Sequence, residues 1–235
     1  MAGYMNKIHP TAIIGDQVKM GTDNSVGPYV VISGKVEIGN GNWIGPHTSI
    51  GGPAEIRGSD LPDSWESGIH QGSVLIGSNN VIREGCIVHS GFFTGTRIGN
   101  HCYIMNQTYI AHDCNIGDQV TLSSQVALGG HVTIHDGANL GMSSVVHQRR
   151  FIGSGCMVGM GAVITRDVKP FSKSYGNPSR IHGVNIVGLE KFGFSTVEIL
   201  QVTEYLLRDE STNLSENLNS IFQKFTSFTE TQDDA

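Results

Sequence analysis

The sequence predicts an all-β solenoid, a parallel β-helix of six-residue repeats that carries a short C-terminal helical extension. Three observations lead there: an aliphatic residue recurs at every sixth position, glycine commonly follows it, and a small residue sits four places after it. Counting from Ile8, the aliphatic series runs Ile14, Met20, Val26, Ile32, Ile38, Ile44 and Ile50. The phase returns at Ile76, Ile82 and Val88 and shifts by four residues. It then runs from Ile98 through Ile104, Ile110, Ile116, Leu122, Leu128, Ile134, Leu140, Val146, Ile152 and Val158 to Ile164. The string Gly-Asp-Gln-Val occurs at both 15–18 and 117–120. One aliphatic and one small inward side chain per six residues describe a short flat strand that ends in a tight turn. Such a unit cannot bury its apolar side alone; stacked about 4.8 Å from its neighbours, it buries that side on the next.

Composition agrees with many short strands and turns. The chain of 235 residues holds 31 glycines, 7 prolines and only 7% aromatic residues, a profile that suits turns better than a large aromatic core. All four cysteines (Cys86, Cys102, Cys114, Cys156) fall in the small inward slot and form no C-x-x-C pair, so they read as packing rather than a redox or zinc motif. The formal net charge is −6, so nothing points to a basic nucleic-acid surface. From Val184 onward three Lys/Arg stand against nine Asp/Glu, leaving the rest of the chain neutral. There is no signal-peptide pattern and no apolar run of membrane-spanning length, so a cytoplasmic protein is expected.

The pattern resembles the left-handed β-helix family, in which three hexads make one triangular coil of about 18 residues; the handedness is what the resemblance implies. Two departures interrupt the repeat. Residues 52–73 break the hexads and read as a protruding loop, and Gly91 to Thr96 read as a smaller bulge. Long loops on a rigid solenoid are common places for ligand contacts. Pro170 and Pro178 mark the exit from the solenoid. From Ser195 the spacing of Val197, Leu200, Val202 and Leu206, and then of Leu214, Leu218, Ile221 and Phe225, predicts helices. Thr229 to Ala235 reads as a disordered acidic tail. The division is residues 1–183 for the β-helix and 184–235 for the helical region.

In an 18-residue coil, residues sharing a remainder modulo 18 stack in a column. His112, His131 and His147, with Asp113 and Gln148, then cluster near one edge on successive coils, and His89 joins them one coil earlier. A histidine column offers a metal site or general-base catalysis, in which a neutral imidazole takes a proton from an attacking hydroxyl or amine. The fold also resembles the β-helical carbonic anhydrases, whose pattern wants two histidines five apart. Here His131 and His135 are four apart, and neither a metal nor a bound cofactor is expected. No Gly-x-Ser-x-Gly elbow and no exposed cysteine nucleophile occurs, which favours direct transfer over an acyl-enzyme. Gly39 to Asn42 lack the strand–turn–helix setting of a dinucleotide site.

At Ile110-Ala111-His112-Asp113-Cys114 the sequence is similar to the bacterial acyl-ACP:UDP-N-acetylglucosamine O-acyltransferases of lipid A synthesis. The likeness continues through Ile82-Arg83-Glu84, Gly129-Gly130-His131-Val132, Val146-His147-Gln148, Gly176-Asn177 and Gly183-Val184-Asn185-Ile186 to Gly193-Phe194-Ser195, covering about residues 8 to 200. The resemblance makes His112 the general base and Asp113 its orienting partner, with the Gly130 N–H on the tetrahedral oxyanion. His131, His147 and Gln148 would line the acceptor and acyl groove, and Asn185 would hold the nucleotide. Met160 falls where family members set acyl length, and its bulk implies a shorter chain. Tyr109 and Lys191 occupy substrate-site positions with changed residues. Tyr109 replaces a histidine, and Lys191-Phe192 replaces a pair of arginines, a weaker phosphate grip. By the same resemblance, the 52–73 loop is longer than usual and one fewer N-terminal coil is expected.

Arg149 and Arg166 are candidates for the donor's phosphates, whether on coenzyme A or a phosphopantetheine arm. The resemblance implies a homotrimer with sites between subunits, a nucleotide-sugar acceptor and acyl-ACP as co-substrate. Acyl-CoA is the other donor, because the acidic C-terminal piece opposes an acidic carrier. The expected reaction is transfer of a (3-hydroxy)acyl group to UDP-N-acetylglucosamine or a related sugar nucleotide. CoA-dependent N-acylation of an aminosugar nucleotide is an alternative, and a non-catalytic binding scaffold is another.

Overall fold

The computed structural model describes residues 5–58, 61, 72–208 and 212–233. Short parallel strands, most of two residues, stack into three sheets that form the faces of a left-handed prism. The first face starts with Lys7–Ile8, the second with Ile13–Ile14 and the third with Lys19–Met20; each later coil adds one strand to each face. Partners are 18 residues apart in regular coils, as Arg97 is opposite Asn115. The interval becomes 22 across the 91–96 bulge, where Val81 is opposite Tyr103, and 38 across the 52–73 insertion, where Trp43 is opposite Val81. Both insertions enter at a corner, between the second and third faces, and disturb the register only locally, where His89 is opposite Gly52. Most of the long loop (59–60 and 62–71) lies outside the described residues.

The aliphatic series points inward. Ile32, Ile50, Ile82, Ile104, Ile110, Leu122, Leu128, Ile134, Ile152 and Ile164 are all fully buried, and the small slot between them is filled by Val30, Val36, Val120, Val126, Ala138, Ala162 and the four cysteines. Ile8, in the first described coil, is 44% exposed because no described coil lies beneath it. Burial pushes the cysteine thiols up, Cys86 and Cys102 to about 11 and Cys114 and Cys156 to about 12. They are free and buried, as packing residues should be. Arg150, which falls in the same inward slot, turns out of the core and pairs with Asp167 at 3.4 Å, while its backbone O keeps the stacking bond from Thr133.

Most hexads turn their corner through a residue in the left-handed region, including non-glycines such as Tyr29 (φ 57°), Gln119 (57°), His131 (61°) and Arg149 (59°). This conformation is uncommon outside glycine; here it recurs because the same tight turn recurs on successive coils. The corner residue on one coil therefore stacks over its equivalent on the next, and Asp113, His131 and Arg149 form one such column.

After the last regular strand, Val163–Ile164, the chain adds a parallel strand (Ser172–Gly176) to the first face and folds back antiparallel as Ser179–Val184. A six-residue helix, α1 (Ile186–Lys191), follows directly, too short to show a period in sequence. Helix α2 (Thr196–Leu207) starts at Ser195, whose side chain caps it in a capping box with Glu198. Helix α3 (Glu216–Asp233) extends further than the sequence suggests: the segment from Thr229, expected as a tail, is helical through Asp233. Phe225 and Phe228 of α3 lie against Phe151 at centroid distances of 5.4 and 4.5 Å, which covers the outer side of the third face. No helix among the described residues is long and apolar enough to cross a membrane.

Candidate active site

The corner between the second and third faces carries the histidines. His112 stands at the second turn position after Ile110, and Gly130 and Gln148 occupy the same position on the next two coils. His112 Nδ1 is 2.9 Å from Asp113 Oδ2, and the side chain of Asp113 is fully buried. His131 packs edge-on to His112 with ring centroids 5.1 Å apart, and its Nε2 lies 4.0 Å from the same carboxylate oxygen. A stacking bond from the His131 N–H to the His112 carbonyl (3.0 Å) holds the two coils in register.

Gly130 has a steric reason to be glycine. A Cβ there would sit 2.7 Å from His112 Nε2 and 2.8 Å from Cε1, so the imidazole lies directly on the bare Cα. Gly130 is itself buried, and its N–H has no acceptor among the described residues. An imidazole nitrogen and a residue with an unpaired N–H are thus in direct contact.

The electrostatics are ordered around Asp113. Burial by itself would raise its carboxyl. The backbone N–H of Thr94, the His112 ring, and the N–H groups of Phe92 and Phe93 outweigh burial and hold the carboxyl well below the usual carboxylate range. Burial lowers His131, with Arg149 and His112 adding to the effect and Asp113 opposing it, so the neutral imidazole is favoured. The nearest donor atoms of His112, Asp113 and His131 lie within 4.8 Å of one another. The Asp113 oxygens, however, already accept from five residues, which leaves few lone pairs for an ion.

His147 and Gln148 lie exposed on the following coil of this edge. Arg149 stacks beyond His131, and Arg166 lies one coil further; both are exposed and without ion-pair partners among the described residues. His89 is drawn aside, with Nδ1 2.7 Å from the Pro53 carbonyl and Nε2 3.5 Å from Glu55. Tyr109 packs on it at 5.6 Å.

The bulge residues are functional neighbours that sequence reasoning missed. Phe92 to Gly95 wrap the Asp113 carboxylate, and Phe93, 68% exposed, lies against the His131 ring at 5.8 Å. The four extra residues were visible as a break in the repeat. What they enclose was not, because it lies about one coil further along the chain.

Two family models match. Residues 95–130 match the bacterial transferase hexapeptide (six repeats), and residues 167–233 match UDP-N-acetylglucosamine O-acyltransferase domain 2. The chain is 39% identical to the acyl-[acyl-carrier-protein]–UDP-N-acetylglucosamine O-acyltransferase of Campylobacter lari, over 68% of this chain and 65% of that protein. The solved structure of LpxA from Acinetobacter baumannii is 30% identical, with a TM-score of 0.65, over 87% of this chain and 83% of that one. The chain belongs to the UDP-N-acetylglucosamine O-acyltransferase family. Another member, the UDP-N-acetylglucosamine O-acyltransferase of Moraxella catarrhalis, superposes with a TM-score of 0.71 at 28% identity, over 97% of this chain and 93% of that one. The matched region spans just under two thirds of the curated relatives, 65% of the Campylobacter lari protein and 59% of that from Campylobacter curvus.

The remaining positions that the family resemblance singled out are not gathered around His112 within one chain. Met160, 72% exposed, lies at the corner between the first and second faces. Lys191 closes α1 and lines a pocket of about 450 Å³ with Asp118, Gln119 and Asp136, at the corner between the third and first faces. Asn185 is buried, and its amide donates to the Gly155 carbonyl at 2.8 Å. Phe192, at the second position where the resemblance implied an arginine pair, covers Gly137 and Gly155 and packs edge-on to Phe171 at 5.2 Å. It is a packing residue here.

Proposed function

We propose that this protein transfers an acyl group from a thioester donor to a hydroxyl of UDP-N-acetylglucosamine or a closely related sugar nucleotide, with His112 as general base. The observation that carries this reading is His112 itself, tied through Nδ1 to Asp113 and with Nε2 against the bare Cα of Gly130, whose N–H has no acceptor among the described residues. Nε2 takes the proton of the acceptor hydroxyl as its oxygen bonds to the thioester carbonyl carbon. The Gly130 N–H stabilises the resulting oxyanion. Collapse breaks the C–S bond, and the thiolate leaves with the proton from His112. A positioned base contributes about 10²–10⁴-fold, and one oxyanion donor about 10²–10³-fold. The sequence uses no metal and no covalent enzyme intermediate, in keeping with the inert cysteines.

A homotrimer fits the same geometry. The outward row of the second face (Ile13, Val31, Ser49, Ile87, Tyr109, Ala127, Val145, Val163) carries no charge, and Ile13, Ile87 and Val145 are about two-fifths exposed. The third face presents Lys19, Glu37 and Arg97 instead. Three copies packed through their second faces around a threefold axis would set the histidine corner of one beside the Met160 corner of the next. Met160 then blocks the far end of the acyl groove and keeps the chain short. Arg149 and Arg166 stand free for a donor's phosphates. The donor proposed is acyl-acyl carrier protein, as the relatives are named; acyl-coenzyme A is the alternative, which the acidic C-terminal helices raise.

The test is direct. The protein is mixed with UDP-N-acetylglucosamine or its 3-amino analogue and with acyl-ACP or acyl-CoA, and the products are weighed by mass spectrometry. His112→Ala is expected to lower kcat by about 10²–10⁴-fold with an unchanged melting midpoint, and a chelator is expected to have no effect. An Ala variant as fast as wild type would remove His112 from the role, and no turnover with any pair would leave a binding scaffold. Light scattering that gives a single chain for the active species would refute the trimer.

A further inference from the structure

The sequence breaks its repeat just before the catalytic coil, and the structure shows what the break holds. Asp113 Oδ1 accepts the backbone N–H groups of Phe92 (3.0 Å), Phe93 (3.0 Å), Thr94 (2.7 Å) and Gly95 (3.1 Å), and also the Thr94 hydroxyl (3.2 Å). Oδ2 accepts from Phe92 at 3.0 Å and faces His112 Nδ1 at 2.9 Å. Successive backbone N–H groups that converge in this way form an anion-binding concavity. Glycine at both ends makes it possible: a Cβ on Gly91 would lie 2.7 Å from Asp113 Oδ1 and 2.2 Å from the Gly95 Cα, and Gly95 itself has φ +89°.

We infer that the Gly91–Gly95 bulge is a positioning element for acyl transfer: a carboxylate nest that fixes which atom of residue 113 faces His112, and through it which nitrogen of His112 is free to act as base. The inference rests on His112 being that base. Every donor in the nest is an N–H or O–H, so the atom at the Oδ1 site must be an acceptor. The other oxygen is then also an acceptor, which requires hydrogen on Nδ1 and a bare lone pair on Nε2. No titratable group belongs to the bulge itself. The charged or titratable groups facing the carboxylate from the neighbouring coils are His112, His131 at 4.0 Å and, beyond it, Arg149.

Two substitutions separate this role from simple packing. In Asp113→Asn the nest holds the amide oxygen at the Oδ1 site and turns the NH₂ group toward His112. Nδ1 must then accept, and the proton moves to Nε2, where it blocks the base. In Asp113→Ala the nest is empty, the ring is free to take either tautomer, and a small carboxylate can enter. The near-isosteric Asn variant should therefore be the slower of the two, at about 10²-fold or more below wild type. Formate, but not chloride, should raise the rate of the Ala variant saturably and leave the Asn variant unchanged.

Nitrogen-15 spectra of labelled histidine read the tautomer without any turnover. The wild type should carry hydrogen on His112 Nδ1 and the Asn variant on Nε2. An Asn variant that keeps the Nδ1–H form, or that outpaces the Ala variant, overturns the proposal. If the wild type turned over none of the substrates, the acyl-transfer reading would fall, while the tautomer spectra would still decide the nest. If the Ala variant did not fold, the Asn spectrum alone would decide it.

Discussion

Two corners of the same prism use the same turn position in opposite ways. At the corner between the third and first faces, the second turn residue is Asn40, Ser78, Asn100, Asp118 or Asp136. Each places a side-chain oxygen on the N–H of its equivalent one coil earlier, at 2.7–3.0 Å. Inside that corner, Asn24, Asn42 and Asn80 repeat the device in the core, each oxygen accepting the N–H of the next coil. At the histidine corner the position is His112, Gly130 and Gln148. Gly130 has no side chain to reach back to His112, and Gln148 makes no bond to the Gly130 N–H. A ladder that satisfies every corner N–H makes a stable edge; where it is interrupted, an N–H and an imidazole nitrogen are left for chemistry.

That contrast can be broken deliberately. After loss of His112, the largest effect is expected from Gln148→Asn, which restores the ladder by placing a short amide oxygen on the Gly130 N–H. The kcat should fall by about 10²-fold while the melting midpoint holds or rises, measured by steady-state kinetics and calorimetry. A variant with unchanged kcat would show that this N–H does not meet the oxyanion. Gly130→Ala should cost about tenfold in kcat, because the new Cβ displaces the His112 ring, a penalty of the size of overpacking, about 1–3 kcal/mol.

The opposite corner should respond in stability alone. Asn42→Ala leaves the Asn80 N–H without its acceptor and should destabilise the fold by about 1–3 kcal/mol, seen as a lower midpoint in chemical denaturation with kcat unchanged. The smallest effect concerns pH. Burial lowers His131 and, on the third face, His135. The unfolded chain takes up protons near pH 6.5 before the folded one does, so stability is full above that value and declines as pH falls toward the lowered folded values. His131→Gln should flatten the decline in melting midpoint between pH 7.5 and 5.5, both roughly one unit from the unperturbed value. An equal decline in the variant would place the titration elsewhere.

Much of the site was legible because the fold is periodic. Counting from Ile110 placed His112, Asp113, His131 and His147 on one edge, and the same count sent the cysteines inward. Lys191 and Met160 fall on other corners, so one chain does not gather them with His112. Asn185 illustrates the limit of a motif: its amide is bonded to Gly155 across a gap of thirty residues that no local pattern marks. The helix after Ser195 was legible from the spacing of Val197, Leu200, Val202 and Leu206, whereas α1 was too short to show a period and the helical turn beyond Thr229 carries no apolar signal.

By itself, the sequence determined the solenoid, its inward residues and the stacking of the histidines, because a repeat with short-range turns converts position along the chain directly into position in space. Only the tertiary structure decided which polar atoms remain free. The ladder bonds join residues 18 to 38 apart, and the nest around Asp113 is built from backbone N–H groups whose direction depends on the shape of an irregular bulge. Periodicity says where a side chain stands; satisfaction of its hydrogen bonds depends on everything that the fold brings against it.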